Sequence, residues 1–148
     1  MRTNFDTLRL MAVYLVNHLK EKSLIDFAIE KRTDLIEALA TELGVSFSTD
    51  EDIREQAIED VEEKFGTDNL PEDITETEMF NAARKEIVKS FNGESLAGMY
   101  MVESLYHVAV RVKDFLMQHD LVDDVFGTDE ELITFIVKVS RGFNPKNL

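Results

Sequence analysis

Three histidines and thirty acidic residues, with no cysteine, set the chemistry open to this 148-residue chain. His18, His107 and His119 are the side chains able to bind a transition metal or move a proton near neutrality. None stands at a ligand spacing. No two histidines lie at i, i+4, and the Glu-x-x-His unit that di-iron bundles project inward is absent; Glu103 and His107 merely share a helix face. Each histidine is therefore expected to form a surface ion pair or a helix cap. The carboxylates are concentrated in a helix whose Asp50, Glu51, Asp52, Glu55, Glu59, Asp60, Glu62 and Glu63 lie around its polar side, where charge faces water. General acid–base catalysis would need two of them in a cleft with displaced pKa values. Neither Asp68 to Glu78 nor Asp123 to Glu131 has the glycine and spaced oxygens of a calcium loop. Phe-Gly-Thr-Asp recurs at 65–68 and 126–129 and reads as helix end, turn and cap. The glycines at 44, 66, 93, 98, 127 and 142 are isolated, so no nucleophile elbow, phosphate loop or dinucleotide fingerprint is present. The reading is not an enzyme: no catalytic residue, no metal, no cofactor and no small-molecule substrate are expected.

Composition bounds the rest. A chain this long buries roughly 68–70% of its extended surface on folding, enough for a true core. The 44% hydrophobic content with 6 glycines and 2 prolines is that of a globular domain. Lack of cysteine agrees with a reducing compartment. The apolar stretch Leu8 to Val16 is short, ends at Asn17-His18 and has no cleavage site, and no run is long enough to span a bilayer. A cytoplasmic protein with no membrane partner is expected. The net charge of −14 is uneven: between Phe47 and Glu78 thirteen acidic residues face Arg54 and Lys64, a local charge of −11 that leaves about −3 elsewhere. Such a field disfavours direct nucleic-acid binding, even through Arg84, Lys85, Lys89 and the basic C-terminal Lys138, Arg141 and Lys146.

Apolar residues recur at helical spacing, and capping residues precede most runs. The pattern predicts six helices. The first covers about Asn4 to Lys22, with an apolar stripe broadened by Leu10, Val13, Tyr14 and Val16. The second starts at a Thr33 cap and stops at Gly44; the third runs from a Thr49/Asp52 capping box to near Gly66. After a turn at Asn69-Leu70-Pro71-Glu72-Asp73, a Thr75/Glu78 box opens the fourth, which reaches Gly93. Ser95 is expected to cap a long fifth helix reaching Gln118, and Thr128/Glu131 box the sixth, which ends at Arg141-Gly142. No segment alternates with period two for long enough to predict a strand.

A repeat organises these helices. A gapless shift of 97 residues lays Leu8 on Leu105, Ala12 on Ala109, Leu19 on Leu116, Leu24 on Leu121, Asp26 on Asp123, Leu35 on Leu132 and Ile36 on Ile133. Ile25 meets Val122, Ile29 meets Phe126 and Leu39 meets Ile136, so the match continues through a Leu-(Ile/Val)-Asp connection. The predicted fold is all-α: six helices in an orthogonal or bundle-like domain with an internal pseudo-twofold duplication, helices 1 and 2 matching 5 and 6. One domain, 1–148, divides into a first unit at 1–46, acidic connector helices at 47–94, a second unit at 95–143 and a tail at 144–148. The two long apolar helices are expected to pack on each other about the axis.

The run Leu15 to Leu43, a helix ending in a short Leu-Ile turn before a second helix, resembles the uncharacterised bacterial domain-of-unknown-function family labelled five-hundred-and-seven. The run Thr77-Glu78-Met79-Phe80-Asn81-Ala82-Ala83-Arg84-Lys85-Glu86-Ile87 is similar to that family's Met-Phe-containing basic helix. The resemblance covers about the first 90 residues and would make this chain a duplicated member. It implies a helical fold and a bacterial setting, and no mechanism.

The functional expectation is a non-enzymatic protein-interaction module. It binds a partner, or itself as a homo-oligomer, through apolar helix faces beside an acidic surface. Glu59, Glu62, Glu63, Tyr100 and Met101 are the candidate contact residues. The alternative is an acidic nucleic-acid mimic, a decoy occupying a nucleic-acid-binding protein.

Overall fold

A computed structural model describes residues 5–48, 50–65, 75–90 and 95–147. Among them the chain is mostly helical, with six α-helices: α1 (Phe5–Glu21), α2 (Arg32–Ser46), α3 (Asp50–Phe65), α4 (Glu76–Ser90), α5 (Leu105–Gln118) and α6 (Asp129–Arg141). Short 3₁₀ turns occupy Ile29–Lys31 and Pro145–Asn147. The expected cap at Thr49, the stops at Gly66 and Gly93 and the 69–73 turn lie outside the described residues.

Local chemistry explains where several helices start. The Thr75 hydroxyl accepts the Glu78 backbone N–H at 3.1 Å, and the Thr128 hydroxyl accepts that of Glu131 at 3.2 Å. Each satisfies a first-turn donor that the helix itself leaves unpaired. α2 departs from its expected bounds. It begins at Arg32, directly off the 3₁₀ turn, with Lys31 in the cap position and no side-chain cap bond, so Thr33 lies inside the first turn. It also passes through Gly44 to Ser46. Gly44 does not stop it because the chain beyond is captured by a sheet: the Val102 N–H donates to the Ser46 carbonyl at 2.9 Å, and Phe47 pairs with Met101.

The strands are the larger correction. Five are present among the described residues: β1 (Ile25–Asp26), β2 (Phe47–Ser48), β3 (Ser95–Leu96), β4 (Met99–Met101) and β5 (Asp124–Val125). Ser95 therefore opens a β-hairpin and not a helix. Ala97 and Gly98 form its turn with φ of 53° and 82°, the paired left-handed geometry of a type I′ turn. Met99 and Met101 point into the core on either side of a half-buried Tyr100. α5 starts only after Ser104, whose hydroxyl accepts the His107 N–H at 3.2 Å.

The core joins α1, α2, α5 and α6 with β2, β4 and Phe143. Burial follows the 97-residue repeat: Leu8 and Leu105, Ala12 and Ala109, Leu19 and Leu116, Leu35 and Leu132, and Leu39 and Ile136 are all buried. α1 packs on α2 and α5 on α6. The connections pair with each other as the antiparallel ladder β1–β5, Ile25 opposite Val125 and Asp26 opposite Asp124. The Asp123 N–H donates to the Asp26 carbonyl at 2.9 Å, linking the two repeat-equivalent aspartates. This ladder changes how the units mate. The principal helix contacts across the junction are α2 with α5 and α1 with α6, in place of the expected pairing of the two long helices.

Candidate docking face

β2 leads into α3, and α4 leads back toward β3; both strands flank β4 in a three-stranded antiparallel sheet of order β2-β4-β3. Two helices are thus mounted as an arm on a sheet at the edge of the core. Their chief packing is on each other. Ile53 and Ala57 of α3 and Met79 of α4 are buried in that contact, while Phe80, Val61, Ile87 and Val88 are only half-covered and Ile58 is 41% exposed.

A pair of helices cannot surround an apolar stripe on all sides, so part of the arm's stripe faces out. An open groove of about 480 Å³ results, floored by Val61, Met79, Ala82 and Ala83. Its rim carries Asp60, Glu78 and Glu86 against Lys64. Over the full spans, α3 holds eight acidic residues against two basic, whereas α4 holds three of each. The negative potential of the arm therefore comes from α3.

The sequence-derived contact residues divide between two places. Glu59, Glu62 and Glu63 are exposed on α3. Tyr100 and Met101 lie in β4 at the arm's root, not in a helix, because the hairpin turn at Ala97-Gly98 precedes them. Tyr100 is half-buried, and Met101, 2% exposed, is a core side chain. Of the aromatic and sulfur-bearing residues near the long helices, Tyr106 and Met117 are exposed on α5.

A polar network that sequence spacing does not show braces the root of the arm. Ser46, 1% exposed, donates its hydroxyl to Glu103 Oε1 at 2.6 Å. Arg111 donates through Nε to Oε1 at 3.0 Å and through Nη2 to Oε2 at 3.5 Å, with Glu42 3.9 Å from Nη1. The Arg111 guanidinium, and after it the Ser46 hydroxyl, hold the Glu103 carboxyl below its ordinary value near 4.5. Ser46 stands 57 residues from Glu103, and Glu103 precedes the α5 cap, so neither helical periodicity nor cap spacing connects them.

The network borders a shallow cleft of about 590 Å³ along α5. In it His107 Nδ1 lies 2.7 Å from the Ser104 hydroxyl, which caps α5 by accepting the His107 backbone N–H. His119 Nδ1 accepts the Leu121 N–H at 3.2 Å beyond the end of α5, and His18 Nδ1 sits 2.8 Å from the Tyr14 carbonyl. Among the described residues no group of three His, Cys, Asp or Glu side chains could hold a metal ion, and no helix is long and apolar enough to cross a membrane. No family model, curated protein or solved structure matches the chain.

Proposed function

We propose that this protein is a non-enzymatic protein-interaction module, working in a bacterial cytoplasm, whose docking element is the acidic α3–α4 arm. The observation that carries the reading is the arm itself. Its two helices pack chiefly on each other, keep part of their apolar stripe open and concentrate the negative charge on α3. A structural brace would be expected to bury that stripe against the core. Membership of the five-hundred-and-seven family belongs to the same proposal and rests on the Leu15 to Leu43 and Thr77 to Ile87 resemblances.

Capture of partners from lysate, by the parent chain and by a Glu59→Lys/Glu62→Lys/Glu63→Lys variant, tests this. Loss of captured protein in the variant is expected, and an unchanged set counts against an acidic docking face. The exposed carboxylates of Asp52, Glu55, Glu59, Glu62 and Glu63 along one helix favour a second reading, an acidic mimic that occupies a nucleic-acid-binding protein. That reading requires added DNA or RNA to displace the captured partner.

A further inference from the structure

We propose that the groove between α3 and α4 takes a basic amphipathic α-helix of a partner protein, laid along the arm as its third helix. The proposal rests on reading the arm as a docking element and specifies what docks there. Ala82 is exposed and Ala83 half-buried, so the two small side chains leave room above Met79 and Val61 for a bulky apolar residue of an incoming helix. An occupant with apolar anchors at i, i+3 or i+4, and i+7 would cover the open stripe as helix-in-groove ligands do.

Charge selects among such helices. The rim sets Asp60, Glu78 and Glu86 against Lys64, so cationic flanks are attracted and acidic ones repelled. A second copy of this chain is disfavoured by the same physics: each copy carries −14, with eight acidic residues on the very helix that would have to approach its mate.

Fluorescence anisotropy on the whole chain tests the proposal with a synthetic leucine–lysine peptide patterned as an amphipathic helix, and with a scramble of equal composition that gathers no apolar face. The patterned peptide is expected to bind at least roughly tenfold tighter than the scramble, a difference of about 1.4 kcal/mol. Binding should shift the ¹³C-methyl resonance of Met79 in the groove and leave that of Met117, exposed on α5, in place. Ala82→Trp, a substitution at an exposed position, should fill the groove and weaken the patterned peptide by a similar factor. Equal binding of the two peptides with an unmoved Met79 methyl overturns the proposal. If the Glu59→Lys/Glu62→Lys/Glu63→Lys variant then still loses both peptides, the acidic face stands and only the groove fails; if it binds like the parent, the reading beneath fails too. A dimer in sedimentation velocity that Ala82→Trp dissolves would show a second copy as the occupant and overturn the foreign helix.

Discussion

Ala97 occupies the left-handed region at φ 53°, a conformation that brings a Cβ too close to the next carbonyl and costs about 1–2 kcal/mol. It is tolerated because Gly98 follows at φ 82° and the turn holds β3 against β4. Asparagine adopts this geometry more readily. Ala97→Asn is expected to stabilise the fold by about 0.5–1 kcal/mol, raising the thermal midpoint by roughly 1–4 °C; a lower midpoint contradicts the turn assignment. Glu103 gives a pH prediction. Its folded pKa lies below its unfolded value near 4.5, so its contacts with Arg111 and Ser46 stabilise the fold fully above that pH. The contribution is lost as pH falls through the lower folded value. Glu103→Gln should therefore flatten the decline of the denaturant midpoint as pH falls from near 4.5 through the lowered folded value, and an unaltered slope would show that the network contributes nothing. At this scale the sequence is readable where chemistry is local. The Thr75/Glu78 and Thr128/Glu131 boxes form as spaced. The Ser104 cap and the Ser46–Glu103–Arg111 network are not readable, because the first has histidine where a capping box has Glu or Gln and the second joins residues far apart in the chain.

All six predicted helices are present among the described residues, and the errors fall where an element depends on its neighbours. Helical periodicity persists over many residues and can be seen in one segment alone. Strands of two or three residues cannot, since their alternation is too short to stand out and their partners lie elsewhere: β2 finds β4 across the whole arm, and β1 finds β5 across most of the chain. Leu96, Met99 and Tyr106 fit a helical stripe equally well, which hides the hairpin. The arm bears a prediction of its own. α3 and α4 bury few side chains outside their mutual contact, so their amides should open with a smaller free energy than those of α1 and α5. Hydrogen exchange should find arm protection well below core protection, and Ile53→Ala should lower it further while leaving α1 unchanged. Equal protection throughout would mean that arm and core unfold as one unit.

At the scale of the whole molecule, the duplication is legible because the 97-residue match runs through Leu24-Ile25-Asp26 and Leu121-Val122-Asp123, where helical spacing supplies no free agreement. The mating of the units is not legible. α2 meets α5 and α1 meets α6, and the connections are joined by the β1–β5 ladder, whose backbone hydrogen bonds carry no side-chain signature. The resulting body of α1, α2, α5 and α6 has its own core, and the arm is an insertion between two of the strands of one small sheet. The division of labour we propose makes the duplicated body the scaffold and the arm the docking element. Its most direct test replaces residues 50–90 with a short glycine–serine linker and compares partner capture with that of the parent, circular dichroism and a cooperative thermal transition reporting on the remaining body. The account predicts a folded body that captures no partner; a folded body that captures the same partners as the parent would contradict it.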